Sequence, residues 1–130
     1  MHKTILLIDD ENAILEITTL VLEDAGYLVT AFISPLEAIT YYKQHQHEIH
    51  AIILDMTMPE MDGITCAKAL WSINAQATII LSSGYKIEDI TQQHQDVNFH
   101  AFLQKPYHPR TLVKQLESIF CSNSPEPALN

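Results

Sequence analysis

Basic side chains are scarce in this chain of 130 residues: seven Lys and Arg stand against sixteen Asp and Glu, a net charge of −9. Affinity for nucleic acid rests on neutralising phosphates with cations, so this balance argues against direct binding to DNA or RNA. Cysteine is limited to Cys66 and Cys121, which are far apart and in no CxxC pattern. Both are read as reduced packing residues of a cytosolic protein. No apolar run approaches the ~18 residues that would span a bilayer, so membrane insertion is not expected. Met1-His2-Lys3-Thr4 leads straight into a strand pattern, and no signal peptide is expected. Internal repeats and low-complexity tracts are also missing. The length suits one domain. A chain near this size buries roughly two thirds of its unfolded surface, a core that needs no disulfide or metal staple.

What is present is a series of short, continuous apolar runs. Ile52-Ile53-Leu54 is the most informative, because it runs directly into Asp55 and then into the turn-rich Met56-Thr57-Met58-Pro59-Glu60-Met61-Asp62-Gly63. An apolar run this short, without alternation, suits a strand buried on both faces. Ile5 to Ile8 reads the same way and ends in Asp9-Asp10-Glu11. Leu28 to Phe32, Thr78 to Leu81 and Phe99 to Gln104 supply three more strands, the last of mixed character and expected at a sheet edge. Helical spacing occupies residues 12 to 25, with Ile14, Ile17 and Val21 on one side, Leu15 and Leu22 close by, and Gly26 as the stop. Ser34-Pro35-Leu36-Glu37 is a helix start with the chemistry of a capping box; that helix carries Leu36, Ala38, Ile39 and Tyr42. Further helices are expected over 64 to 73, over the polar stretch 86 to 95, and from Pro109, where Leu112, Val113, Leu116, Ile119 and Phe120 form an apolar stripe. Ser122 to Asn130, with two prolines, reads as a tail or the beginning of a linker, leaving 1–121 as the domain.

Strands alternating with helices imply a mostly parallel sheet covered on both faces. In such sheets sites form beyond the carboxyl ends of the strands. Asp9, Asp10, Asp55 and Ser82 all follow strand patterns, and Lys105 follows the fifth, so all are expected at one crevice. Two unit charges about 4 Å apart repel by ~4 kcal/mol at an effective dielectric near 20, so three carboxylates there require a proton or a cation. Oxygen donors without His or Cys suit a hard divalent ion such as Mg²⁺. A carboxylate nucleophile, a metal, a lysine and a hydroxyl together describe phosphoryl transfer to an aspartate.

At these residues the sequence resembles the receiver domains of two-component response regulators. The matching pieces are Asp9-Asp10, Asp55, Met58-Pro59-Glu60-Met61-Asp62-Gly63, Ser82 and Lys105-Pro106, in order and at strand ends, within residues 4 to 121. The resemblance implies a doubly wound, flavodoxin-like α/β fold of five parallel strands in the order 2-1-3-4-5. It implies Asp55 as the acceptor of a phosphoryl group from a sensor histidine kinase or a histidine phosphotransfer protein. Asp10, Asp55 and the backbone carbonyl of Thr57 would ligate Mg²⁺, with Asp9 acting through a metal-bound water. Lys105 and Ser82 would hold phosphoryl oxygens, Ser82 and Phe102 would form the switch, and the Lys105-Pro106 bond would be cis. Serine and phenylalanine stand where many relatives have threonine and tyrosine. An output domain or effector protein is the implied downstream partner. A homodimer through the fourth helix, fifth strand and fifth helix is another implied assembly. No output domain is visible in the chain itself. It reads as a stand-alone receiver, a part of a longer regulator, or a part of a hybrid kinase.

Two rival functions follow from the same residues. A haloacid-dehalogenase-like phosphatase also forms an aspartyl phosphate, but it wants a second Asp two residues after the nucleophile, where this chain has Thr57. A receiver-like docking domain that is never phosphorylated is the other, and the complete acidic set argues against it. Either way the expectation is a switch and not a metabolic enzyme. His45, His47 and His50 have no recognised ligand spacing and are read as solvated, and Asp62-Gly63 as a turn and helix start. The sequence leaves open whether Trp71 and Tyr85 face a partner or are half-buried.

Overall fold

The computed structural model describes residues 2–122. Five strands alternate with five helices: β1 (Thr4–Ile8), α1 (Asn12–Asp24), β2 (Leu28–Phe32), α2 (Pro35–His45), β3 (Ala51–Asp55), α3 (Gly63–Ile73), β4 (Ile79–Ser83), α4 (Ile87–Gln93), β5 (Ala101–Gln104) and α5 (Pro109–Ser122). A single 3₁₀ turn over Gln46–Glu48 joins α2 to β3. All neighbouring strands pair in parallel, in the order β2-β1-β3-β4-β5. The doubly wound, flavodoxin-like fold expected from the sequence is therefore the fold observed.

The unbroken apolar runs follow from covering both faces. Successive strand side chains point to opposite sides. Leu6, Ile8, Ile52, Leu54, Ile79 and Leu81 join one core with Ala38 and Tyr42 of α2, Ile64 and Leu70 of α3, and Ile90 of α4. Ile5, Leu7, Ala51, Ile53 and Ile80 join the other with Leu15 and Leu22 of α1 and Leu112 and Leu116 of α5. Each fully buried aliphatic side chain contributes about 1.5–3 kcal/mol, so these central strands hold the domain together.

Several local expectations are corrected. The buried side of α1 is Leu15, Thr18 and Leu22, whereas Ile17 is 56% exposed. An apolar count passes over Thr18, and that shifts the inferred face. Of the apolar residues noted on α2, Ala38 and Tyr42 are buried and Leu36 is exposed. Ser34 does cap α2, accepting from the Glu37 N–H, but its own hydroxyl donates to Glu60 Oε1 at 2.9 Å. β4 runs on through Ser82 and Ser83, which remain in register with Asp55 and Gln104. β5 begins only at Ala101, opposite Ile80, so Phe99 and His100 precede it. The fourth helix is shorter than 86 to 95, spanning Ile87–Gln93. Gly26 ends α1 with φ of 99°, a conformation that glycine adopts without a Cβ penalty. Cys66 is buried as expected, but Cys121 is exposed near the end of α5. Ser122 belongs to α5; the rest of the expected tail lies outside the described residues.

Candidate functional site

The parity of the strands decides which side chains meet at the carboxyl rim. Asp55 continues the Ala51-Ile53 side of β3, and Ser82 the Ile80 side of β4. Counting by twos from Ile5 and Leu7 reaches Asp9, and from Ala101 and Leu103 reaches Lys105. All four lie over the same core, the one covered by α1 and α5. Parallel register then brings them level, with Asp55 directly beside Ser82.

Lys105 is the hub. Its Nζ lies 2.9 Å from Asp55 Oδ1, 3.4 Å from Asp9 Oδ2 and 3.8 Å from Glu11 Oε1. The lysine is positioned by its own backbone, whose N–H donates to the Ser83 carbonyl at 2.7 Å; the Lys105-Pro106 bond that follows is cis. Asp9 and Asp55 are buried, at 3% and 4% exposure, and Asp10 stands more open to solvent. One carboxylate oxygen from each of Asp9, Asp10 and Asp55 lies within 4.8 Å of the others. No other group of three metal-ligating side chains this close occurs among the described residues. Asp9 Oδ1 also accepts from the Glu11 N–H at 2.9 Å.

Burial pushes the Asp55 carboxyl up from 3.8 to about 6, against the pull of the Lys105 hydrogen bond and with the push of the Asp9 charge. Asp9 is raised for the same first reason, partly offset by the Glu11 N–H and by Lys105. Burial opposes the charge on Lys105, yet Asp55 and Asp9 outweigh it and its pKa ends raised. An all-carboxylate pocket, two of its three carboxylates buried, with one cation already on its rim, is the donor set a hard divalent ion fits. It also leaves a carboxylate that is ionised near neutral pH and faces a fixed positive charge.

The sequence matches the response regulator receiver domain family over residues 5–117. The chain belongs to that family. It is a receiver domain of the two-component response regulators, similar to the response regulator receiver protein CpdR of Brucella abortus at 33% identity, over 90% of this chain and 96% of CpdR. It is 32% identical to the response regulator GtcR of Aneurinibacillus migulanus, covering 97% of this chain but 52% of GtcR. Among solved structures, CheY in the CheX-CheY-BeF3-Mg²⁺ complex of Borrelia burgdorferi superposes with a TM-score of 0.82 at 28% identity, over 91% of this chain and 89% of that one. Receiver domains are phosphoacceptor signalling domains, and the fold, the relatives and the acidic rim all agree with that class.

Of the residues singled out in the sequence, the receiver brings together Asp9, Asp10, Asp55 and Lys105, with Ser82 in register beside Asp55. Thr57 lies two residues past Asp55 in the exposed connection to α3. Phe102 does not join them. It sits half-buried over the opposite core, against Phe99, while its carbonyl accepts from Gln115 Nε2 at 3.1 Å. Asp62 caps α3 by accepting from the Thr65 N–H at 2.8 Å, as a helix start. Of the histidines read as solvated, His47 and His50 are exposed, whereas His45 is half-buried and stacks on Tyr41; His50 Nδ1 accepts from the Thr4 N–H. Trp71 is half-buried and donates to the Ala77 carbonyl; Tyr85 is exposed.

Two contributors were passed over. Glu11 adds a third carboxylate to Lys105, and its adjacency to Asp9-Asp10 was the available signal. Gly63 is required for space. A Cβ there would meet the Asp55 carbonyl oxygen at 2.7 Å and the Met56 Cα at 2.8 Å. The Gly63 N–H donates to the Met56 carbonyl at 2.7 Å, drawing α3 against the end of β3. Asp-Gly before a helix signals a turn; it does not announce that close approach.

Proposed function

We propose that Asp55 is the phosphoacceptor of this receiver. One Asp55 oxygen forms the new P–O bond as the P–N bond of a donor phosphohistidine breaks, and the imidazole leaves with the electron pair. The product is an acyl phosphate on Asp55. The donor is a sensor histidine kinase or a histidine phosphotransfer protein. Asp10, Asp55 and the Thr57 carbonyl are the residues to hold Mg²⁺, with Asp9 acting through a bound water. When bound, Mg²⁺ supplies positive charge against the phosphoryl oxygens. Lys105 neutralises a second phosphoryl oxygen and Ser82 donates its hydroxyl to a third. Autodephosphorylation uses the same residues, so the domain assists its own chemistry while acting as a switch. Ser82 and Phe102 report the phosphorylated state to an output domain or effector protein, with a homodimer as one route. The functional unit is the domain expected over 1–121, extended by Ser122 at the end of α5, and it acts in the cytoplasm.

The observation that carries this reading is the Lys105 Nζ to Asp55 Oδ1 contact of 2.9 Å beside two further carboxylates. Support also comes from the Borrelia relative, which was solved with BeF3 and Mg²⁺. The test is exposure of the chain to acetyl phosphate with Mg²⁺, followed by intact mass. A single stoichiometric label, lost in Asp55→Asn, is expected. Full labelling of Asp55→Asn would reject the assignment, and sustained turnover of small phosphomonoesters would point to a phosphatase instead.

A further inference from the structure

Three aromatic rings form a chain away from the acidic rim. Phe102, on β5, lies edge-on to Phe99 with centroids 5.5 Å apart. Phe99, in the segment before β5, is tilted against Trp71 of α3 at 5.1 Å. All three are half-buried over the same core. The ends of the chain are held differently. The Phe102 main chain is pinned by β-sheet pairing and by the Gln115 amide, so its freedom lies in the side chain. Trp71 is anchored through Nε1 to the Ala77 carbonyl at 3.0 Å. A cavity of about 520 Å³ lies elsewhere, against α1, but one of about 290 Å³ opens directly beside Trp71, lined also by Ala77, Asn98 and His100. Of the three rings it borders Trp71 alone, and it leaves that end of the chain of rings room to shift. The segment that carries Phe99 is also joined to α3 by the Lys68–Asp96 ion pair at 2.8 Å. That pair is exposed and contributes little energy, but it marks how near the two elements lie.

We infer that Phe99 is a coupling residue, passing the side-chain position of Phe102 to Trp71 and so carrying the switch from β5 to the far end of α3. The inference rests on the reading of Phe102 as the switch aromatic. Ring pairs at these separations favour tilted or edge-on geometries, so turning one ring changes the preferred setting of the next. Packed cores answer such changes by discrete re-packing and transmit them. A Phe102 ring that leaves its place removes the edge against which Phe99 rests. Phe99 then shifts, and Trp71 gains a different face.

Trp71 is the sole tryptophan of the chain, so 5-fluorotryptophan gives one ¹⁹F resonance in this chain. Phe102→Ala is expected to move that resonance. In a Phe99→Leu background the displacement should fall below half, and Phe99→Tyr, which keeps the ring, should restore it. A resonance unmoved by Phe102→Ala, or moved equally with leucine at 99, overturns the coupling. Acetyl phosphate with Mg²⁺ should move the same resonance in proportion to the label seen by mass. Labelling without displacement also overturns it. A chain that takes no label counts against Asp55 as acceptor, while the Phe102→Ala comparison decides the coupling on its own.

Discussion

Asp55 sits in an environment that disfavours its charge and beside a lysine that favours it, and burial is the larger effect. A folded pKa of about 6 above an unfolded value of 3.8 means that the native state binds the extra proton. Stability from this group is therefore present below about pH 4 and is lost as pH rises through about 6. Asp9, also raised by burial, acts in the same direction. Asp55→Asn should stabilise the metal-free domain at pH 7 by about 1–3 kcal/mol, with a flatter stability profile between pH 4 and 6. Urea titrations across that range read the effect; an unchanged profile would contradict the burial argument. Lys105→Ala is expected to retain Mg²⁺ binding, because the lysine acts on the phosphoryl group, but to label and signal poorly. Isothermal titration against labelling rate separates the two roles, and a large loss of Mg²⁺ affinity would refute the split.

At the scale of elements, the site depends on α3 being drawn tightly against the end of β3. Gly63→Ala should cost roughly 1–3 kcal/mol, because backbone atoms of Asp55 and Met56 occupy the space a Cβ needs. It should also slow labelling by displacing the Asp55 carbonyl. Thermal melts with a labelling time course test both, and a silent substitution would mean the contact is easily relieved. The orientation of α1 makes a second prediction. Leu15→Ala should lose about 2–5 kcal/mol as a core cavity forms, whereas Ile17→Ala should stay within about 0.5 kcal/mol. Equal losses in chemical denaturation would restore the face suggested by apolar spacing alone. That spacing misled because Thr18 contributes to the buried stripe, and because flanking elements, not hydropathy, set how far a helix is rotated.

For the whole molecule, a cation bound only by the folded rim adds to global stability. Mg²⁺ at 100 times its Kd should add about 2.7 kcal/mol, raising the midpoint of thermal unfolding, with the gain removed by EDTA. A midpoint indifferent to Mg²⁺ at neutral pH would argue against a metal on this rim. No helix among the described residues is long and apolar enough to cross a membrane. Much of this architecture was legible in the chain, since short apolar runs, most of them broken by a turn or a carboxylate, admit few arrangements other than a covered parallel sheet. The positions of Asp9, Asp55, Ser82 and Lys105 were legible for the same reason: the strand pattern assigns each of them to a strand end. What only the tertiary structure decided were the distances and the neighbours. Lys105 is 96 residues from Asp9, and their meeting at 3.4 Å depends on strand order and a shared parity. The same holds for the space at Gly63, the Ser34–Glu60 bond and the line of rings from Phe102 to Trp71. Periodicity is a local property of the chain and records which side of an element is covered. Contacts between elements arise from how they pack, and no local pattern encodes those.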